Sequence, residues 1–200
     1  MKFELPKLIL ASGSPRRSEI LNAVGWEFTK IVADVDETEY PGEDPAEYVK
    51  RLAKTKAEAV AVNYPDEFVL GADTTVVVDG NIIGKPLDLD DARRMLRLLS
   101  DKTHQVLTGI ALSKNGVTSV DLQATSVKFT NLDEHAVDFL VTHGAPLDKA
   151  GAYAVQAQAA LFIEGIDGDY WNVVGLPVSL VFKMLTERIG SNSGNTEDVV

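Results

Sequence analysis

Charged side chains that suit phosphate chemistry are spread over the first half of the sequence. They are the cations Arg16, Arg17, Lys56 and Lys85 and the carboxylates Asp36, Glu37 and Asp73. Hydrolysis of a phosphoanhydride needs cations that neutralise charge on phosphoryl oxygens, a metal ion, and a carboxylate that orients the attacking water. These residue types therefore predict metal-assisted phosphoanhydride hydrolysis, provided that the fold brings them together.

The two arginines stand at the start of a predicted helix. Leu8–Ala11 has the pattern of a short buried strand, and Ser14 and Pro15 suit the N-cap and first position of the helix that follows. A helix start prefers acidic residues, yet Arg16 and Arg17 stand there instead. Free backbone N–H groups, the helix dipole and two guanidinium groups together favour a bound polyanion. The alternative is a surface helix with two solvated arginines.

Lys56 lies in a second predicted helix, which begins at Asp44 and continues to about Asn63. The apolar stripe of this helix consists of Val49, Ala53 and Val60. Lys56 falls on the same stripe at helical spacing. It therefore either extends to the edge of the apolar surface or reaches into a site.

Asp73 follows a predicted apolar strand at Phe68–Ala72. A carboxylate in apolar surroundings is costly unless it is paired or bound to a metal. Asp79 and Gly80 predict a hairpin turn, with Lys85 beyond it. The alternative role for Asp73 is to cap a local turn.

An acidic loop connects a predicted strand at Phe28–Val32 to the second helix. Its carboxylates are Asp34, Asp36, Glu37 and Glu39. Runs of charge in loops are usually solvated, and the alternative is that one or two of these residues hold a hard cation such as Mg²⁺.

The remaining elements alternate between helix and strand patterns, which predicts an α/β fold. They are a helix from Asp88, a hairpin of Gln105–Lys114 and Val117–Phe129 around Asn115-Gly116, a helix at Asp133–Thr142, and a last helix that starts at Asn172–Pro177 and stops at Gly190. We expect one domain over residues 1–190, with two lobes, and a disordered tail over 191–200.

Composition excludes several classes of function. The net charge of −11 argues against general nucleic-acid binding, although a few cations in a cleft can still bind a small anion together with a divalent metal. No apolar run approaches the roughly 20 residues of a membrane span, and the first residues do not resemble a signal peptide. Without cysteine there is no disulfide or thiolate site, so a cytoplasmic location is the default expectation.

Common catalytic motifs are missing from the sequence. There is no GxSxG elbow, no P-loop and no GxGxxG fingerprint. The three histidines, His104, His135 and His143, lack the spacing of a metal site.

Several motifs, in order along the chain, resemble the Maf family of nucleoside triphosphate pyrophosphatases. They are Ala11-Ser12-Gly13-Ser14-Pro15-Arg16-Arg17, Gly71-Ala72-Asp73-Thr74, Gly84-Lys85-Pro86, Asp148-Lys149-Ala150-Gly151-Ala152-Tyr153 and Asn172-Val173-Val174-Gly175-Leu176-Pro177. The resemblance implies a mixed α/β sheet like that of the inosine triphosphate pyrophosphatases, with two lobes flanking a central cleft. It also implies metal-dependent hydrolysis of a nucleoside triphosphate to the monophosphate and pyrophosphate, and it favours a homodimer.

The resemblance further implies a role for each matching residue. Asp73 would accept the proton of the attacking water and would share a divalent cation, Mg²⁺ or Mn²⁺, with Glu37. The residues that would hold the triphosphate are Ser12, Arg16, Arg17, Lys56 and Lys85.

Arg16, Thr74 and Gln156 resemble the specificity residues of the subgroup that acts on dTTP and UTP. A threonine and an amide could read a pyrimidine edge by hydrogen bonds. The family usually has glycine where Ala154 and Ala157 stand, and the added methyl groups would tighten the base pocket or shift the loop that carries Gln156.

Two alternatives to a dTTP and UTP pyrophosphatase stay open. One is a non-catalytic nucleotide-binding regulator of septum formation, a role that the family resemblance also brings. The other is the same reaction on a purine triphosphate or on 7-methyl-GTP. Asp73 together with Lys56 and Lys85 favours an enzyme, because a protein that only binds nucleotide does not need a buried carboxylate that activates water.

Overall fold

The structure, a computed structural model, describes residues 5–193 of the 200-residue chain and the side chains as far as Gly190. The strands are β1 (Leu8–Ala11), β2 (Phe28–Ile31), β3 (Phe68–Val78), β4 (Asn81–Ile83), β5 (Thr103–Lys114), β6 (Val117–Phe129) and β7 (Ile163–Asp167). The α-helices are α1 (Pro15–Ala23), α2 (Pro45–Ala61), α3 (Leu89–Leu99), α4 (Glu134–His143), α5 (Tyr170–Val174) and α6 (Val178–Ser193). Short 3-10 helices lie at Pro146–Asp148, Ala150–Ala152 and Gln158–Phe162.

The strands form one mixed sheet in the order β2-β1-β3-β5-β6-β7. β1 pairs in parallel with β2 and β3, whereas the pairs from β3 through β7 are antiparallel. The predicted α/β class with a mixed sheet is therefore confirmed.

One edge of β3 opens into a gap. β1 pairs with Phe68–Gly71 and β4 pairs with Val76–Val78 on the same edge, so residues 72–75 have no strand beside them on that edge in the described part of the chain. The gap holds Asp73 and Thr74. Backbone and side chains at such a break in a sheet are free to face a ligand.

Strand alternation sends neighbouring residues of β3 to opposite faces. Val69 packs with Val60 of α2, whereas Leu70 belongs to the large core on the other face. Asp73 is therefore directed toward α2, and Thr74 toward α1 on the opposite face.

Helix α2 lies directly on the sheet because two glycines leave room for it. A Cβ on Gly71 would be 2.2 Å from the carbonyl oxygen of Ala53, and one on Gly109 would be 2.3 Å from that of Val49. This close approach brings Lys56 over Asp73. Helices α1, α3, α4 and α6 pack on the opposite face around the largest cluster of buried side chains.

The starts of the helices confirm most of the predicted N-cap residues. Asp44, Asp88 and Asp133 each accept hydrogen bonds from backbone N–H groups of the helix that follows. Ser14 stands at the N-cap of α1, but its side chain makes no capping hydrogen bond.

Two predictions at the C-terminal end are wrong. The last helix continues to Ser193 instead of stopping at Gly190, because Gly190 does not take the left-handed conformation of a helix stop and a glycine costs a helix only about 1 kcal/mol. The segment before Gly175 forms a separate short helix, α5. Residues 194–200 of the predicted tail lie outside the described residues. No helix in the described part of the chain is long and apolar enough to cross a membrane.

Candidate active site

A cleft of about 620 Å³ opens at the gap in the edge of β3. The residues to which the family resemblance gives a role all line it, namely Ser12, Arg16, Arg17, Glu37, Lys56, Asp73, Thr74, Lys85 and Gln156. One wall comes from β1, α1 and β3, and the other from the segment between Asp148 and Gly175. The fold thus brings together residues that are far apart in sequence.

Lys56 joins two carboxylates in this cleft. Its ammonium group lies 2.6 Å from an oxygen of Asp73 and 2.8 Å from an oxygen of Glu37. Lys56 and Asp73 are buried, whereas the side chain of Glu37 is half exposed. The ammonium group of Lys56 therefore points into the cleft and does not extend to the edge of the apolar surface.

The carboxyl group of Asp73 has an elevated pKa. Burial raises the pKa, and the nearby charges of Lys56 and Arg17 lower it only in part. A carboxylate with a raised pKa holds a proton more tightly, so it is a better proton acceptor for water.

Arg17 is buried beneath the cleft and is held by three groups. Its Nε donates to the carbonyl oxygen of Gly175 (2.9 Å), and its two Nη atoms donate to Oγ of Ser12 (3.0 Å) and Oγ1 of Thr74 (3.1 Å). Ser12 also accepts from the backbone N–H of Ser14 (3.2 Å), so both acceptor positions of its hydroxyl are used and its own proton is left to donate.

Arg16 spans the cleft to reach Asp148. One Nη donates to the Asp148 carboxylate (2.9 Å) and the other to its backbone carbonyl (3.1 Å), and Lys149 also lies 2.6 Å from that carboxylate. Neither arginine is simply solvated, because each guanidinium group is hydrogen-bonded to acceptors of the protein. The tertiary fold places carbonyl and carboxylate acceptors from the opposite wall against each of them.

Lys85 is exposed at the mouth of the cleft. The loop that carries it is tied to the opposite wall, because the carbonyl oxygen of Gly84 accepts a hydrogen bond from the N–H of Gly151 (3.0 Å). Gly151 has a φ of +68°, which a glycine adopts readily, and a Cβ there would be 3.0 Å from the side chain of Val76.

The two predicted specificity residues have different surroundings. Thr74 is engaged within the protein: it accepts from Arg17, and its Oγ1 lies 3.0 Å from Oγ1 of Thr108. Gln156 is exposed on the opposite wall, next to the half-buried Ala154. Gln156 therefore has its amide available to a ligand, whereas Thr74 has little hydrogen-bonding capacity left.

The acidic loop contributes one of its carboxylates to the cleft. Asp36 is exposed and accepts from the backbone and side chain of Thr38 (2.9 and 2.6 Å), so it caps a local turn and does not line the cleft. Glu37 is the residue that lines it.

Sequence reasoning gave no role to several residues of the site. Asp148 and Lys149 were visible as charges within a run of small residues, which is a usable signal. Tyr48 and Thr108 line or support the cleft through contacts made by the tertiary fold, and no local pattern marks them.

Comparison with known proteins places these residues in a family. Residues 7–188 match the sequence model of the family described as Maf-like protein. The chain belongs to the Maf family. The match confirms the resemblance to the Maf family over nearly the whole length of the chain.

Two relatives illustrate the similarity. A protein of Symbiobacterium thermophilum named dTTP/UTP pyrophosphatase is 50% identical over 183 residues, which cover 92% of this chain and 94% of the relative. A protein of the same name from Koribacter versatilis is 48% identical and covers 89% of this chain and 92% of the relative. Among solved structures, the Ham1 protein of Staphylococcus aureus is 18% identical with a TM-score of 0.45, covering 62% of this chain and 71% of that one.

Proposed function

We propose that this Maf-family chain is a nucleoside triphosphate pyrophosphatase that hydrolyses dTTP and UTP to the monophosphate and pyrophosphate. Relatives that carry the name dTTP/UTP pyrophosphatase at 50% and 44% identity support the reaction and the substrates. The observation that carries the proposal is the buried contact of 2.6 Å between Asp73 and Lys56 in a cleft that is also lined by Arg16 and Lys85. Attack of water on a phosphoanhydride needs this combination of a carboxylate and several cations.

Asp73 acts on the attacking water in the proposed reaction. The water oxygen forms a bond to phosphorus, the anhydride bond between the α- and β-phosphoryl groups breaks, and pyrophosphate leaves. Asp73 accepts the proton that the water loses. Lys56 keeps the carboxylate in place and offers a positive charge to the phosphoryl oxygens.

The triphosphate is bound by groups from both walls of the cleft. The hydroxyl of Ser12 has its proton free to donate, and Arg17 retains two N–H donors beyond the three that contact protein atoms. Arg16 and Lys85 supply charge nearer the opening. A polyanion that enters would compete with Asp148 for Arg16.

Glu37 and Asp73 fit a divalent metal such as Mg²⁺ or Mn²⁺. Both carboxylates face the single ammonium group of Lys56, so their oxygens converge on a place that favours positive charge. No group of three or more acidic, histidine or cysteine side chains in the described residues is placed to hold a metal ion, and Mg²⁺ commonly completes its coordination with substrate phosphates and water. When bound, such a metal would neutralise charge on the phosphoryl oxygens.

Gln156 is the residue that we propose reads the base. Its exposed amide faces the cleft and can both donate to and accept from a pyrimidine edge. Thr74 contributes to specificity in this proposal by holding Arg17, with which it is hydrogen-bonded.

The proposed substrates also imply where the protein works. We infer a cytoplasmic enzyme, because nucleoside triphosphates are used there, and a homodimer on the basis of the family resemblance. Light scattering coupled to size exclusion would measure the mass in solution against the chain mass of 21.6 kDa.

A panel of nucleoside triphosphates tests the proposed function. The protein is incubated with each triphosphate and with Mg²⁺ or Mn²⁺, and pyrophosphate and orthophosphate are measured separately. We expect pyrophosphate mainly from dTTP and UTP. Pyrophosphate from a purine or 7-methyl-GTP would keep the reaction and overturn the role of Gln156, and absence of turnover by folded protein would favour the regulatory binder.

A further inference from the structure

We propose that Arg51 is a positioning residue that holds Glu37 at the active site by clamping the acidic loop onto helix α2. The inference rests on the proposed function, because it concerns how Glu37 is kept in the cleft. Arg51 does not line the cleft itself. It acts through the loop that carries Glu37.

The loop between β2 and α2 has no regular secondary structure to hold it. Residues 32–44 connect the two elements as turns and irregular backbone, and the side chain of Glu37 is 51% exposed. Even so, Glu37 reaches to 2.8 Å from Lys56. A loop of this kind needs fixed contacts if one of its carboxylates is to keep a defined position.

Arg51 supplies those contacts at the far end of the loop. Its Nε and Nη2 donate to the two oxygens of Glu43 (2.6 and 2.7 Å), which is a bidentate pair. The same Glu43 accepts from the backbone N–H of Tyr40 (3.1 Å), and the ring of Tyr40 lies against the guanidinium group with its centroid 3.9 Å from Cζ. The turn at 40–43 is therefore fixed on Arg51.

Arg51 also holds the backbone next to Glu37. Its Nη2 donates to the carbonyl oxygen of Thr38 (3.0 Å), and Tyr48, one turn earlier on α2, donates from its hydroxyl to the carbonyl oxygen of Glu37 (3.1 Å). Two successive carbonyl groups are thus bound to the helix that carries Lys56. One helix therefore presents both the lysine and the carboxylate that faces it.

If Arg51 had only a local role, we would expect a different effect of its loss on activity. The pair of Arg51 with Glu43 is partly buried, and if it only joined the loop to the helix, its loss would affect activity independently of Glu37. A positioning residue loses its effect once the residue that it positions is gone. The two roles therefore differ in a double-mutant cycle.

The experiment compares R51A, E37A and the double variant R51A/E37A with the wild-type protein. We expect kcat/KM for dTTP to fall by about 10- to 100-fold in R51A. The double variant should be no less active than E37A alone. The variant R51K should lose as much activity as R51A, because lysine cannot form the bidentate pair. R97A is the matched control, since Arg97 makes a similar pair with Glu134 (2.9 and 2.7 Å) away from the cleft.

Amide hydrogen exchange over residues 32–44 gives a second readout that needs no turnover. We expect faster exchange in R51A and no change there in R97A. Unchanged exchange, or losses of kcat/KM that multiply in the double variant, would overturn the inference while leaving the proposed function in place. If the wild-type protein hydrolyses no triphosphate, the proposed function fails, and faster exchange in R51A still supports the hold of Arg51 on the loop.

Discussion

At the scale of single residues, the site depends on a carboxylate that the protein keeps away from water. Asp73 is 8% exposed, and burial raises its pKa while Lys56 at 2.6 Å and the charge of Arg17 work in the opposite direction. A buried carboxylate without such partners would be very costly. The contact with Lys56 therefore offsets part of the cost of burying the carboxylate.

Replacing Asp73 by asparagine tests its role as proton acceptor. D73N keeps the shape and a hydrogen-bond acceptor for Lys56 but cannot take a proton from water. We expect kcat to fall by about 10²–10⁴-fold, since general-base catalysis contributes about that much. Pyrophosphate release at saturating dTTP measures it.

The control for D73N is a carboxylate in an ion pair elsewhere. Asp138 lies on the exposed face of α4, 3.1 Å from Arg93, so D138N changes the same chemical group far from the cleft. We expect wild-type kcat for D138N. Near-normal turnover in D73N would remove Asp73 from the mechanism.

At the scale of elements, the packing of α2 on β3 and β5 sets the geometry of the site. Gly71 and Gly109 have no side chains between the sheet and the helix, so the helix backbone approaches them directly. Asp73 and Gly109 are paired across β3 and β5, which aligns the carboxylate with this contact. Lys56 reaches Asp73 because helix α2 lies so close to the sheet.

Substituting Gly71 with alanine tests this arrangement. The new Cβ would be 2.2 Å from the carbonyl oxygen of Ala53, so the helix must move or the protein must unfold more easily. We expect G71A to lose about 1–3 kcal/mol of unfolding free energy, and to lose activity as Lys56 is displaced from Asp73. Urea denaturation and dTTP hydrolysis measure the two effects.

Gly165 in β7 provides the comparison for G71A. A Cβ at Gly165 meets no atom within 4 Å, and its φ lies outside the left-handed region. We expect G165A to keep wild-type stability and activity. Equal stability of G71A and G165A would show that α2 can move away from the sheet without cost.

At the scale of the whole molecule, the far wall of the cleft is attached to the sheet by a buried histidine. Nε2 of His104 on β5 lies 2.7 Å from the hydroxyl of Tyr153, and the ring of Phe129 stacks on His104 with centroids 5.6 Å apart. Burial lowers the pKa of His104 to about 4. The histidine is therefore neutral in the folded protein at neutral pH.

The buried histidine predicts a loss of stability in acid. Because the pKa of His104 is about 4 when folded and 6.5 ordinarily, the unfolded chain binds a proton first as the pH falls. The contribution of His104 to the free energy of unfolding is complete above pH 6.5. It falls by about 3 kcal/mol in all between pH 6.5 and pH 4. Urea denaturation at several pH values measures this slope.

The variant H104Q isolates the contribution of His104 from that of the carboxylates. Glutamine can accept from Tyr153 but does not titrate, so H104Q should lose less stability than the wild type between pH 6.5 and 4. H135Q, at an exposed histidine of α4, should behave as the wild type. Equal pH dependence of H104Q and the wild type would contradict the prediction.

Much of this molecule could be predicted from local sequence. Aspartates before helices, apolar strands and the Asn115-Gly116 turn each act within a few residues, and the structure has the corresponding helices, strands and hairpin. The prediction that the last helix stops at Gly190 was wrong, because a glycine stops a helix only when it takes the left-handed conformation. The positions of Asp73 and Lys56 were suggestive because each breaks an apolar pattern.

The sequence by itself determined the α/β class, the family and the set of candidate residues, because these are properties of local pattern and residue order. Only the tertiary structure decided what those residues contact. Arg17 meets the carbonyl oxygen of Gly175 158 residues away, and Arg16 meets Asp148 132 residues away. Such contacts depend on how the sheet and helices pack, and sequence spacing carries no direct record of distances across a fold. For the same reason the hold of Arg51 on the Glu37 loop became visible only in three dimensions.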